Sequence, residues 1–277
     1  MHENLDNKFI QFREERHFLT NFVGHKALTL SDLDIQEISN LEGLNGCTEL
    51  YKLDLISCGI NEIKNLENLK NLEWLNLSKN NIKEIKGLNN LKKLKTLDLS
   101  DNNLNKIKGL DRLSHLKYLN LSNNQIIEIE ALPHNLKELN LSNNQISEIN
   151  GLKNLKSLIS LNLSNNNITK MSNLESLEEL QQIFLTSNKI TKITGIKSLR
   201  NLITLSLNNN QIKDSIELEG LGNIKKVDLR NNNITEIPNF ELLKNFEVIA
   251  LDGNPLTEED FYFLCHNLKN FKRIHID

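Results

Sequence analysis

Residues 94–115 read LKTLDLSDNNLNKIKGLDRLSH, and residues 116–125 begin again as LKYLNLSNNQ. Leu94, Leu97, Leu99, Asn102, Leu104 and Ile107 of the first stretch return as Leu116, Leu119, Leu121, Asn124, Ile126 and Ile129. One coil earlier the same places hold Leu72, Leu75, Leu77, Asn80, Ile82 and Ile85. A fixed apolar period marks a chain built of stacked, near-identical coils. The frame continues from Leu136, Leu158, Leu180, Leu202, Ile224 and Phe246 and reaches back to Leu50, with an imperfect start near His25. The period is 22 residues (positions 72, 94, 116), falling to 20 between Leu116 and Leu136, where Pro133 sits in the shortened return.

Each position has a physical reason. A Leu-x-Leu core such as Leu97-Asp98-Leu99 is a short strand with both leucines pointing inward, so stacked coils pair their strands in one parallel sheet. The asparagine that follows (Asn80, Asn102, Asn124, Asn144, Asn166, Asn188, Asn210, Asn232, Asn254) turns inward, where its amide meets backbone groups left unpaired by the bend. Cys58 fills that slot in an earlier coil and reads as a core residue. The sixteenth position runs Asn65, Gly87, Gly109, Ala131, Gly151, Asn173, Gly195, Glu217, Asn239. Glycine and asparagine tolerate positive φ, so a left-handed turn is expected there in most coils. Local distortion is expected at Ala131 and Glu217.

The pattern L-x-x-L-x-L-x-x-N-x-I-x-x-I over residues 25 to 256 resembles the leucine-rich-repeat family. More narrowly, it resembles the 22-residue class of a protein phosphatase 1 regulatory subunit and of bacterial internalins. The resemblance implies an α/β, β-rich solenoid: a horseshoe with a parallel concave sheet, an irregular or 3-10 convex side and a capping segment at each end. The implied boundaries are 1–24 for the first cap, 25–256 for ten to eleven repeats and 257–277 for the closing cap. Phenylalanines mark those ends, with Phe9, Phe12, Phe18 and Phe22 at one and Phe240, Phe246, Phe261, Phe263 and Phe271 at the other. Leu5, Phe9 and Phe12 predict a short amphipathic helix. Thr257 is the expected N-cap of a helix carrying Phe261, Leu264, Cys265 and Leu268, followed by an edge strand with Phe271, Ile274 and Ile276. Lys269 stands where the phosphatase-regulator cap carries proline.

The balance of 33 Lys+Arg against 36 Asp+Glu excludes a dominant nucleic-acid-binding charge. No apolar run is long enough to span a membrane. Cys47, Cys58 and Cys265 are odd in number and lack metal-ligand spacing, and the amino terminus has no secretory pattern, so a reduced cytoplasmic or nuclear protein is expected. The seven histidines form no zinc or HExxH motif, and there is neither a phosphate loop nor a nucleophile elbow. No catalytic residue, metal or cofactor is expected. In the family the exposed strand residues line the concave face and contact the partner. Here that face holds three large rings, Trp74, Tyr118 and Phe184, which read as binding anchors. Asp54, Asp98, Glu138 and Asp228 are placed to orient a basic partner segment. The expectation is a monomeric, non-catalytic protein-interaction module that meets neither nucleic acid nor membrane directly. A phosphatase regulatory subunit and an internalin-like surface adhesin are the alternatives.

Overall fold

Leucine spacing translates directly into strand pairing. The computed structural model describes residues 8–213, 221–236, 247–260, 262 and 273–275, with backbone only for the last three. It divides into two compact units: residues 1–126 with 130–136, and residues 127–129 with 137–277.

In the first unit, β1 (Phe9–Phe12) and β2 (Glu15–Phe18) form an antiparallel hairpin. Strand β3 (Thr20–Phe22) pairs antiparallel with β4 (His25–Ser31). From β4 onward the pairing is parallel through β5 (Leu50–Ile56), β6 (Trp74–Asn76), β7 (Thr96–Asp98) and β8 (Tyr118–Asn120). The register aligns Ala27, Lys52, Trp74, Thr96 and Tyr118 in one row and Thr29, Asp54, Asn76, Asp98 and Asn120 in the next.

The second unit repeats the parallel arrangement. Its strands are β9 (Glu138–Asn140), β10 (Ser160–Asn162), β11 (Gln182–Phe184), β12 (Thr204–Ser206), β13 (Lys226–Asp228), β14 (Val248–Ala250) and β15 (Arg273–His275). Each pairs with the next in strict register. From β6 to β14 the middle residue of each strand is sealed in the core, as are the leucines that follow. Each contributes about 1.5–3 kcal/mol of burial.

The ladder asparagines act as the spacing predicts. In the first unit Asn102 accepts the Ile82 N–H at Oδ1 (2.9 Å) and donates from Nδ2 to the carbonyls of Leu77 (3.0 Å), Leu99 (3.1 Å) and Ser100 (3.0 Å). In the second, Asn188 accepts from Ile168 (3.0 Å) and donates to Leu163 (3.0 Å) and Leu185 (3.1 Å). Cys58 imitates the amide weakly, its Sγ directed at the carbonyls of Ile56 (3.3 Å) and Leu30 (3.6 Å). Burial pushes that thiol above its ordinary range.

The sixteenth position is left-handed in all seven described coils, from φ 51° at Ala131 to 84° at Gly109. Ala131 therefore keeps the turn that its coil was expected to distort, because the strain of one residue in the left-handed region, about 1 kcal/mol, is less than the cost of breaking the stack. Glu217 and Asn239 lie outside the described residues. A second left-handed column, which the sequence reading missed, precedes the ladder asparagines from Asn80 to Asn232: Lys79, Asp101, Asn123, Asn143, Asn165, Ser187, Asn209 and Asn231, at φ 53–57°. Its Asn and Asp content was the available signal. The Leu-x-x-Leu returns are single turns, with Leu69 N–H bonded to Leu66 C=O and Leu72 to Leu69, both at 3.0 Å.

At the amino end the predicted helix is not formed. Phe9 and Phe12 lie on β1, whose half-buried and buried residues alternate with period two. Ile10 and Phe12 face the interior, and Gln11 pairs with Glu42 through two backbone hydrogen bonds (3.0 and 2.9 Å). Strand pairing satisfies these backbone groups against a preformed coil, which an isolated turn of helix would not. Leu5 lies outside the described residues. Phe18 and Phe22 are 54% and 37% exposed, so these two rings do not seal an end.

At the other end Thr257 caps as expected. Residues 258–260 are helical, Asp260 N–H reaches Thr257 Oγ1 (3.2 Å), and Asp260 Oδ2 accepts from Thr257 N–H (2.9 Å). This is a reciprocal capping box. Phe261, Leu264, Cys265, Leu268 and Phe271 lie outside the described residues, while the edge strand is present as β15.

Candidate functional site on the open sheet face

Alternation along a strand sends the middle residue into the core and leaves its two neighbours on the open face. Those neighbours make up the open face, and each unit presents its own set.

In the first unit Tyr118 is 40% exposed and Trp74 is half-buried. They stand two rungs apart, about 10 Å at ordinary strand spacing. Trp74 is one wall of a cluster that the sequence reading did not assemble. Lys52, beside it in register, places Nζ 5.1 Å from the Trp74 ring centre and 4.5 Å from that of Phe22. The same ammonium lies 3.1 Å from Asp54 Oδ2, which also accepts from Thr29 Oγ1 at 3.0 Å. Asp54 is only 5% exposed, and Ala27, between β3 and Lys52, only 3%. Asp54 Oδ1 and Trp74 Nε1 are both buried and have no hydrogen-bond partner among the described residues.

Asp98, further along the same unit, is half-buried. It accepts from Ser100 N–H (2.9 Å), Ser100 Oγ (2.6 Å) and Asn120 Nδ2 (3.1 Å). It organises its own strand end more than it offers a free carboxylate.

In the second unit Phe184 is half-buried in the row with Asn162 and Ser206. Asp228 is chelated by Arg230 through Nε (2.9 Å) and Nη2 (2.6 Å), a contact that raises the guanidinium pKa. Glu138 is exposed. The structure thus links Asp54 to Trp74 through Lys52, engages Asp98 and Asp228 with their own neighbours, and leaves Glu138 open to solvent.

No group of three or more His, Cys, Asp or Glu among the described residues is placed to hold a metal ion. A groove of about 540 Å³ on the return side of the first unit is lined by Lys83, Lys86, Lys106 and Lys108 with Glu84. It contains no nucleophile–base pair. Cys47 and Cys58 are buried and unbonded to one another, and burial pushes both thiols up. No described helix is long and apolar enough to cross a membrane.

The repeat, its asparagine ladder and the parallel rungs agree with a match to the family model for leucine-rich repeats in two copies, at residues 70–112, 93–134, 134–176 and 156–198. The chain is a leucine-rich-repeat protein. Among solved structures, the repeat protein is similar to an internalin of Listeria monocytogenes, with 26% identity over 91% of this chain and 82% of that one, at a TM-score of 0.77. A leucine-rich-repeat protein of Leptospira interrogans is 32% identical over 85% of this chain and 62% of its own, at a TM-score of 0.77. A plant peptide hormone receptor, solved in complex with RGF2, is 25% identical over 86% of this chain and 41% of its own, at a TM-score of 0.66. The comparison with curated protein sequences returned no match.

Proposed function

We propose that this leucine-rich-repeat protein is a non-catalytic interaction module that takes a protein partner on the open face of its sheet. The observation that carries the reading is the placement of large rings on rigid rungs. Trp74 and Tyr118 in the first unit, and Phe184 in the second, keep exposed or half-exposed aromatic surface where the hydrogen-bonded sheet fixes their position. A preorganised aromatic anchor loses little ordering entropy on binding and concentrates the energy of an interface. Glu138 supplies open negative charge on the second unit's face, which favours a partner segment with basic residues.

The test compares the intact chain with a Tyr118→Ala/Phe184→Ala double variant and a Trp74→Ala variant. Each is confirmed folded by its melting curve and then titrated with the partner recovered by the wild type. Loss of at least tenfold in affinity in either variant supports the reading, since an anchor contributes more than about 1 kcal/mol. Unchanged affinity in both overturns it. The likeness to an internalin favours, as a second reading, display of this face to a partner at a cell surface. An export signal or anchor segment in the full gene product supports that second reading.

A further inference from the structure

The cluster around Lys52 is a cation site filled by the chain's own lysine, and its bonding is incomplete. The ammonium sits within the reach of both the Phe22 and Trp74 rings, at 4.5 and 5.1 Å, where a cation is attracted to the ring faces. Asp54 is the counter-ion. At 5% exposure a carboxylate needs both oxygens met, yet Lys52 and Thr29 both engage Oδ2, and Oδ1 has no partner among the described residues. Here the Lys52 ammonium, a compact point charge, meets only one of the two oxygens. A guanidinium is a planar fork that gives parallel N–H bonds to both carboxylate oxygens and stacks flat on an aromatic face. The unmet acceptor, the two rings and the buried charge therefore describe a site better suited to arginine than to its resident. Trp74 Nε1, buried without an acceptor in the same cluster, is matched by a peptide carbonyl.

We propose that the Phe22–Trp74–Asp54 cage receives an arginine side chain of the partner, and that Lys52 is a tethered stand-in which this arginine displaces. The proposal rests on the reading of the open face as a protein-docking surface and names the chemistry of what docks there. Lys52 competes with the advantage of its tether, so a short arginine peptide binds the wild type weakly and binds better once the lysine is removed.

Trp74 is the only tryptophan in the sequence, so its emission reports on the cage alone. Acetyl-Gly-Arg-Gly-amide is titrated into the full chain as wild type, as Lys52→Ala and as Lys52→Ala/Asp54→Asn. Matched peptides carry lysine or the neutral isostere citrulline. In Lys52→Ala the arginine peptide gives a saturable change with a Kd about tenfold below that of the wild type, the scale of a desolvated cation–ring contact. The lysine peptide binds more weakly, the citrulline peptide does not bind, and Asp54→Asn abolishes the signal. If Lys52→Ala does not fold, Lys52→Met keeps the stem packed while removing the charge. The Trp74 indole N–H resonance of the wild type, followed during the arginine titration, then gives the answer in the native chain. Absence of a saturable response in the folded variant and in the wild-type resonance, or equal binding of citrulline and arginine, overturns the proposal. Peptide binding at the cage with partner affinity untouched by the ring variants sinks the docking-face reading instead and leaves the cage standing.

Discussion

On strands β3 to β6 of the first unit, Lys52 contacts Trp74, Asp54 and Phe22, and Asp54 also contacts Thr29. On rungs β9 to β12 of the second, Phe184 is flanked in register by Asn162 and Ser206, with Glu138, Ser160, Gln182 and Thr204 in the adjacent row. Both faces stand on the same frame of sealed leucines and bridging asparagines. They differ most at the two open-face positions of each coil. The frame sets where a side chain stands, and those two positions decide whether neighbours bind one another or wait for a partner. The crowded face carries internal cohesion as well as recognition, while the sparse one carries recognition alone.

The largest effect should come from the frame the two faces share. Asn102→Ala removes an acceptor for a buried N–H and a donor to three carbonyls. It should cost about 3 kcal/mol or more in chemical denaturation. Asn188→Ala should cost a similar amount in the second unit, and a large disparity between the two would show that the frames are not equivalent. Asp54→Ala comes next. It leaves the Lys52 ammonium in a largely buried place without its counter-ion and should destabilise the first unit by about 3 kcal/mol. Phe184→Ala, in the sparse face, should change stability by less than about 0.5–1 kcal/mol while weakening partner binding. If Asp54→Ala and Phe184→Ala proved equally mild in melting experiments, the contrast between the faces would collapse.

A smaller effect follows from the buried thiols of the first unit. Burial raises Cys47 and Cys58, so the folded chain holds protons that the unfolded chain releases above about pH 8.5. Their contribution is complete below that pH and is lost as pH rises from there through the raised folded-state values. The melting temperature should fall between roughly pH 8 and 10, and a Cys47→Ala/Cys58→Ala variant should show a shallower decline over that range.

Much of this was legible in the sequence because the repeat supplies an alignment of the chain with itself. Leucine spacing sets the rungs, and the asparagine column sets the inward amides. The Gly and Asn column at Gly87, Gly109 and Asn173 sets one left-handed turn. Gly109 shows how tightly that turn is held, since a Cβ there would lie 2.5 Å from the Ile85 carbonyl oxygen. The column through Asp101 and Asn165 carried a weaker signal, because Lys79 and Ser187 share it and neither residue type advertises positive φ. Trp74 and Lys52 could have been paired from sequence alone, as they lie 22 positions apart (74 against 52) and so on neighbouring rungs. Phe22 could not. It precedes the repeat, where no second copy gives its register, and its contact with Lys52 depends on an antiparallel turn at Val23 and Gly24.

The asparagine bonds that cross between coils run in one direction along the chain. Asn80 accepts from Cys58 and Ile60 and donates to Leu55, all in the preceding coil. A coil's bend is therefore completed by the asparagine that follows it by about one repeat. During translation each new coil must wait for its successor to leave the ribosome before its turn is satisfied. At roughly 5–20 residues per second that delay is on the order of one to four seconds. The nascent solenoid would thus always carry one open bend at its growing tip, and a chaperone that protects nascent chains would find its client there.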